Sequence, residues 1–256
     1  MSYIWCLLKM VNMYHTKDIF KIHILFYIVA LFCFLIGFFK QFIIFSSIII
    51  IHELGHIIGA LIFKWKIEKV ILLPFGGITI FNERIDKPLY QEFIIAILGP
   101  LFQIIFYFLF NDNYTFSLYN KIILIFNLLP IYPLDGSKIL NILLNRYMSF
   151  KKSHLTTLFI SFIFFLQVIY ILIKYNISLI SLIILLFIIK EVILDLNKHK
   201  YYLNKFYLEK YLYKSNYKRR KIIKNVNLMK KQTNHIIKNG KKYYFEREIL
   251  DKMFDK

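Results

Sequence analysis

Six apolar runs, at residues 23–39, 42–63, 93–110, 117–133, 155–173 and 177–196, constrain this chain more than any other feature. Most come close to or exceed the roughly 20 residues that a helix needs to cross a hydrocarbon core about 30 Å thick, although several are short or broken. Lipid offers the backbone no hydrogen-bond partners, so segments of this kind form helices. With 58% hydrophobic residues among 256, the expected fold is an all-α polytopic membrane protein with about six transmembrane helices. The N-terminus has only a brief apolar patch near residues 4–8 and no small-residue cleavage pattern. No removable signal peptide is therefore expected, and the first run would serve for insertion.

Charge orients the spans. Cytoplasmic loops are enriched in Lys and Arg, and an N-terminus on the cytoplasmic side puts 30 of the 34 basic residues there. Only Lys40 and Lys174 fall on the opposite side, while Lys121 and Lys190 lie near span ends, from which they can snorkel. Both termini are thus expected in the cytoplasm. The net charge of +19 is concentrated after residue 196, where 18 basic and 5 acidic residues occur. Such a juxtamembrane segment suits anionic lipid headgroups better than a duplex, and nucleic-acid binding is not expected. The two cysteines, Cys6 and Cys33, have neither metal-pair nor disulfide-framework spacing and are read as packing residues.

The second run holds His52-Glu53-Leu54-Gly55-His56. Residues four apart share a helix face, so both imidazoles can reach one metal ion with Glu53 beside them to hold a water. An ionisable group at mid-membrane costs about 2.5–3.5 kcal/mol on insertion scales, so three in one turn require compensation. Hydrogen bonding to neighbouring helices without metal would be the alternative.

Residues 69–83 carry β-branched and large apolar residues on both sides of Pro74 and Gly76-Gly77, the pattern of a membrane-associated β-hairpin whose edge could take an extended peptide. Gly99-Pro100 should kink the third span or admit a close neighbour. The fourth run contains Asn127, Pro130, Pro133 and Asp135-Gly136, so its helix must break near the cytoplasmic surface. A catalytic zinc has three protein ligands and an open position, and Asp135 is the chosen third ligand, in preference to Glu92, Glu191 and Asp195. Asn127 could stabilise a developing oxyanion or simply bridge helices.

The expected organisation is a six-span domain over residues 1–196 and a small basic cytoplasmic region over 197–256. In the latter, residues 197–221 read as a basic amphipathic helix on the membrane or a partner. Residues 233–245 form a hairpin around Asn239-Gly240, and residues 246–254 a short helix.

In order and spacing, HELGH, Leu73-Pro74-Phe75-Gly76-Gly77, Gly99-Pro100 and Asn127-Leu128-Leu129-Pro130-Ile131-Tyr132-Pro133-Leu134-Asp135-Gly136 resemble the site-2 protease family of intramembrane metalloproteases, over about residues 18–200. Within it the chain looks most like the six-span sporulation branch, which releases a sigma factor from a membrane-bound precursor. The resemblance implies one Zn2+ held by His52, His56 and Asp135, with Glu53 as the catalytic glutamate and Asn127 supporting the transition state. It also implies a membrane-tethered protein substrate and inhibitory membrane partners. Ser137 departs from the branch, which often has a second glycine there, and the last sixty residues resemble at most part of its CBS-type domain. Two rival functions are a non-catalytic membrane scaffold and a metal transporter. Transport would spread polar groups along a pathway, whereas these cluster at one depth. Substrate identity and oligomeric state are not legible in the sequence.

Overall fold

The computed structural model describes residues 19–73, 76–110, 114–174, 179–213 and 217–254. The N-terminal apolar patch and the Pro74-Phe75 turn lie outside the described residues. By compactness the chain divides into two units, Met1–Glu83 with Ile97–Ile125, and Arg84–Ala96 with Phe126–Lys256.

In the first unit, β1 (Phe20–Ile22) precedes α1 (Ile24–Leu35), α2 (Phe39–Ile62), β2 (Ile67–Leu73) and β3 (Gly76–Phe81). It also holds most of α3 (Leu89–Leu109) and α4 (Tyr114–Leu128). Helix α2 has 24 residues, about 36 Å at 1.5 Å per residue, enough to span a bilayer. Its buried stripe includes Ile49, His52, Glu53, His56 and Ala60, at three- and four-residue intervals, while Ile43, Ile50, Leu54 and Ile62 are exposed on other faces. The helix ends in a Schellman motif. Lys64 has φ +55°, its N–H donates to Leu61 O at 3.0 Å, and that of Trp65 donates to Ala60 O at 2.8 Å.

The expected hairpin is present, but as part of a three-stranded sheet in the order β1-β2-β3. β2 and β3 are antiparallel with Leu72 opposite Gly77, and β1 adds in parallel with Phe20 opposite Val70. Ile48 of α2 packs with Phe116 and Ile123 of α4 in a small apolar core.

The second unit contains the start of α3, then α5 (Asp135–Tyr147), α6 (Phe150–Lys174), α7 (Leu179–Leu212), β4 (Arg220–Ile223), β5 (Asn234–Asn239), β6 (Lys242–Phe245) and α8 (Glu246–Phe254). The tail hairpin and closing helix form where the sequence predicts them. β4 completes a second sheet in the order β4-β5-β6, so each expected hairpin gains a third strand that the sequence reading did not include. A 197–221 surface helix is likewise corrected. α7 is a single 34-residue helix, and Leu203, Phe206 and Tyr207 are buried with Phe150, Ile223, Met229, Ile237 and Leu250 in the tail's own core. Phe150 and Phe206 stack at 4.5 Å between centroids, which ties the cap to the start of α6.

Among the described residues, three helices, α2, α3 and α6, are long and apolar enough to cross a membrane. The first apolar run yields only the 12-residue α1, which gives way to a turn at Gly37, and the fourth yields the 15-residue α4, which stops before Pro130.

Candidate metal centre

The HELGH segment lies on α2, and its two histidines converge as four-residue spacing requires. His52 Nε2 and His56 Nε2 are 3.1 Å apart, and both side chains and Glu53 are buried. The ligand atoms of the three residues lie within 4.8 Å of one another, and they are the single such group of His, Cys, Asp and Glu among the described residues. Two imidazole nitrogens on one tetrahedral zinc, each at 2.0–2.1 Å, stand about 3.3 Å apart, so the donor pair fits that ion.

The tautomer of His52 follows from a relay that the sequence reading missed. Asn120 Nδ2 donates to the backbone carbonyl of Gln103 at 3.1 Å, which turns Asn120 Oδ1 toward Gln103 Nε2 at 3.3 Å. Gln103 Oε1 therefore faces His52 Nδ1 at 2.8 Å and accepts a hydrogen bond from its N–H. This leaves the lone pair on His52 Nε2, the atom facing His56, as metal binding requires. Gln103 is wholly buried and Asn120 nearly so. A signal was present, because both are amide residues inside apolar runs, where polar groups need partners.

Glu53 is held by the sheet. Its Oε2 accepts a hydrogen bond from Thr79 Oγ1 at 2.6 Å, and a Cβ at Gly77 would lie 2.3–2.5 Å from the Glu53 carboxylate end. Glycine at 77 thus lets β3 pass directly over the glutamate. Gly99 does the same for α3 against α2, since a Cβ there would lie 2.4 Å from His56 Nε2. Helix α3 continues through Pro100, so the Gly-Pro pair permits the close approach expected of it.

Asp135 and Asn127 belong to the second unit. Asp135 is buried and opens α5, where the helix dipole favours an anion, and Lys138 Nζ lies 2.9 Å from its Oδ1. Ser137 donates to Leu134 O at 2.7 Å and so secures this turn through its side chain. Asn127 is half-buried in the last turn of α4. Of the other carboxylates considered, Glu92 is paired with Lys231, and Asp195 lies 3.3 Å from His154 Nε2.

Residues 40–111, which carry both histidines, Glu53, Gly77, Thr79 and Gln103, match peptidase family M50. This stretch is an M50 peptidase domain segment of the site-2 protease type. Among particular proteins, the chain is 40% identical over 149 residues to stage IV sporulation protein FB of Bacillus subtilis, covering 53% of this chain and 52% of that protein. It is 36% identical over 126 residues to a zinc metalloprotease of Methanocaldococcus jannaschii, covering 44% of this chain and 36% of that one. The chain thus spans about half and about a third, respectively, of these two relatives. The solved structure of a site-2 protease from Methanocaldococcus jannaschii aligns with a TM-score of 0.54 and 27% identity, over 68% of this chain and 88% of that one.

Proposed function

We propose that this chain is a zinc-dependent intramembrane endopeptidase that hydrolyses a peptide bond in or near a transmembrane segment of a membrane-tethered protein. The observation that carries the reading is the 3.1 Å separation of two buried imidazole nitrogens, with the His52 tautomer fixed by Gln103 and Glu53 alongside. One Zn2+ bound to His52, His56 and Asp135 would polarise the substrate carbonyl and bring the pKa of its water to about 7.

The chain's own groups supply the rest. Glu53 takes the proton of the attacking water at its carboxylate and delivers it to the leaving amine. Thr79 and β3 keep that carboxylate in place. Asn127 donates to the oxyanion that develops on the scissile carbonyl. A helical substrate hides its peptide bonds in its own hydrogen bonds, so it must be unwound before attack. Strand addition to β3 would hold it extended, because β1 already occupies one side of β2 and β3 lies at the sheet's end.

The six-span arrangement, with both termini in the cytoplasm and the site opening to that side, is supported by the distribution of Lys and Arg. The resemblance to the sporulation branch, supported by similarity to a stage IV sporulation protein, extends the reading to a membrane-bound sigma-factor precursor as substrate and to membrane partners that restrain the enzyme. The domain limits of 1–196 and 197–256 belong to the same reading. Its rival is a non-catalytic scaffold that retains the fold.

Co-expression with single-span membrane proteins from the same genome separates the two. A new cytoplasmic fragment with wild type and none with Glu53→Gln supports proteolysis. Equal fragments with both variants would refute the role of Glu53, and no fragment from any candidate would favour the scaffold.

A further inference from the structure

The second unit contains a cleft of about 630 Å³ whose wall includes Arg146, Lys218, Arg219, Arg220, Lys221 and Lys230. Arg146 closes α5, the next four residues lead into and begin β4, and Lys230 precedes β5. Among the described residues, none of the six pairs with a carboxylate. Two carboxylates bond residues of the cleft wall: Glu92 is engaged by Lys231, and Asp86 accepts from Tyr217 OH and Gln232 N and lies 3.5 Å from Lys210 Nζ, so both already have partners other than the six. Burial, together with the charge of Lys221, pushes the Lys230 ammonium below the usual lysine range, as expected where like charges are crowded.

Five of the six are exposed and only Lys230 is half-buried, so water screens part of their repulsion, and an anion shared among them would relieve the rest. The volume lies within the range of small-molecule sites and exceeds what one carboxylate would fill. Three guanidinium forks point to a tetrahedral oxyanion, since each can bind phosphate through two parallel hydrogen bonds. The cleft also adjoins the start of α6, a helix long and apolar enough to cross a membrane. Phe150 N, at the start of this candidate span, donates to Met229 O at 3.0 Å, and Lys230 Nζ contacts Tyr147 O.

We propose that this cleft is a binding site for a phosphate-bearing polyanion, supplied either as the headgroup of an anionic lipid at the membrane surface or as a soluble polyphosphate. None of the cleft's residues belongs to the proposed zinc site.

The test uses the full chain in phosphatidylcholine nanodiscs. One arm titrates inorganic pyrophosphate by calorimetry, and the other counts phosphatidic acid molecules retained by native mass spectrometry from nanodiscs that contain it. In at least one arm, Arg219→Gln/Arg220→Gln and, separately, Lys218→Gln/Lys221→Gln should weaken binding about tenfold or more. Lys241→Gln/Lys242→Gln, which removes the same charge outside the cleft, should change it less than about twofold. The arm that responds identifies the source. Absence of binding in both arms, or equal loss in the Lys241/Lys242 control, would overturn the site.

Discussion

Replacing Gln103 with Leu should weaken zinc binding while leaving the chain folded. Gln103 is wholly buried, and its Oε1 is the acceptor for His52 Nδ1 at 2.8 Å. Without it, nothing in the relay selects the tautomer that leaves His52 Nε2 free to bind, and Asn120 Oδ1 also loses its donor. Loss of such an outer partner typically costs 10–100-fold in metal affinity, or about 1.4–2.7 kcal/mol. Leu fills a similar volume, and loss of the hydrogen bonds to His52 Nδ1 and Asn120 Oδ1 would cost stability of about 1–3 kcal/mol each. Chelator competition gives the zinc dissociation constant, and thermal unfolding of the metal-free protein gives the separate stability cost. Gln103→Glu restores an acceptor and should recover most of the affinity. A folded Gln103→Leu protein with wild-type zinc affinity would refute the reasoning.

Gly77→Ala should reduce proteolysis by on the order of 100-fold with zinc retained, because its methyl would displace the Glu53 carboxylate that lies 2.3–2.5 Å from it; zinc content and single-turnover cleavage measured together check this. The tail should lose stability in acid. Burial raises the Glu246 pKa, but the hydrogen bond from His235 and the charges of Lys210 and His235 outweigh it and hold the carboxyl below its usual value. The folded pKa is the lower one, so this stabilisation is complete above the unfolded value near 4.5 and disappears as pH falls through the folded value. Urea unfolding of wild type and Glu246→Gln should therefore differ by about 1–3 kcal/mol at pH 7 and converge as pH falls through the lowered folded value. A constant difference across that window would contradict it.

The parts legible in the sequence are those specified by local spacing. HELGH predicts convergent imidazoles because i and i+4 share a helix face, and His52 and His56 meet as that spacing requires. The prolines at 130 and 133 mark the end of α4, and Asn239-Gly240 marks the turn between β5 and β6. What escaped depends on distant partners. β1 is three residues whose pairing with β2, about 50 positions away, has no local signature, and β4 likewise forms through parallel pairing with β5. Leu203, Phe206 and Tyr207 announce an amphipathic helix, but spacing alone does not distinguish a lipid surface from the chain's own sheet, and the sheet takes that face. Gln103, Asn120 and Thr79 were visible as polar residues in apolar surroundings. Their roles required the tertiary contacts that set a tautomer and hold a carboxylate.

In the proposed site the two histidines of α2 and Asp135 at the head of α5 hold one zinc ion, with Glu53 acting beside it rather than as a ligand. Zinc per chain, measured by mass spectrometry after dialysis against a chelator buffer, tests this most directly. Wild type and Glu53→Gln should each retain about one ion, and Asp135→Ala and His56→Ala should retain little. Wild-type zinc content in Asp135→Ala, or loss of zinc from Glu53→Gln, would contradict the assignment.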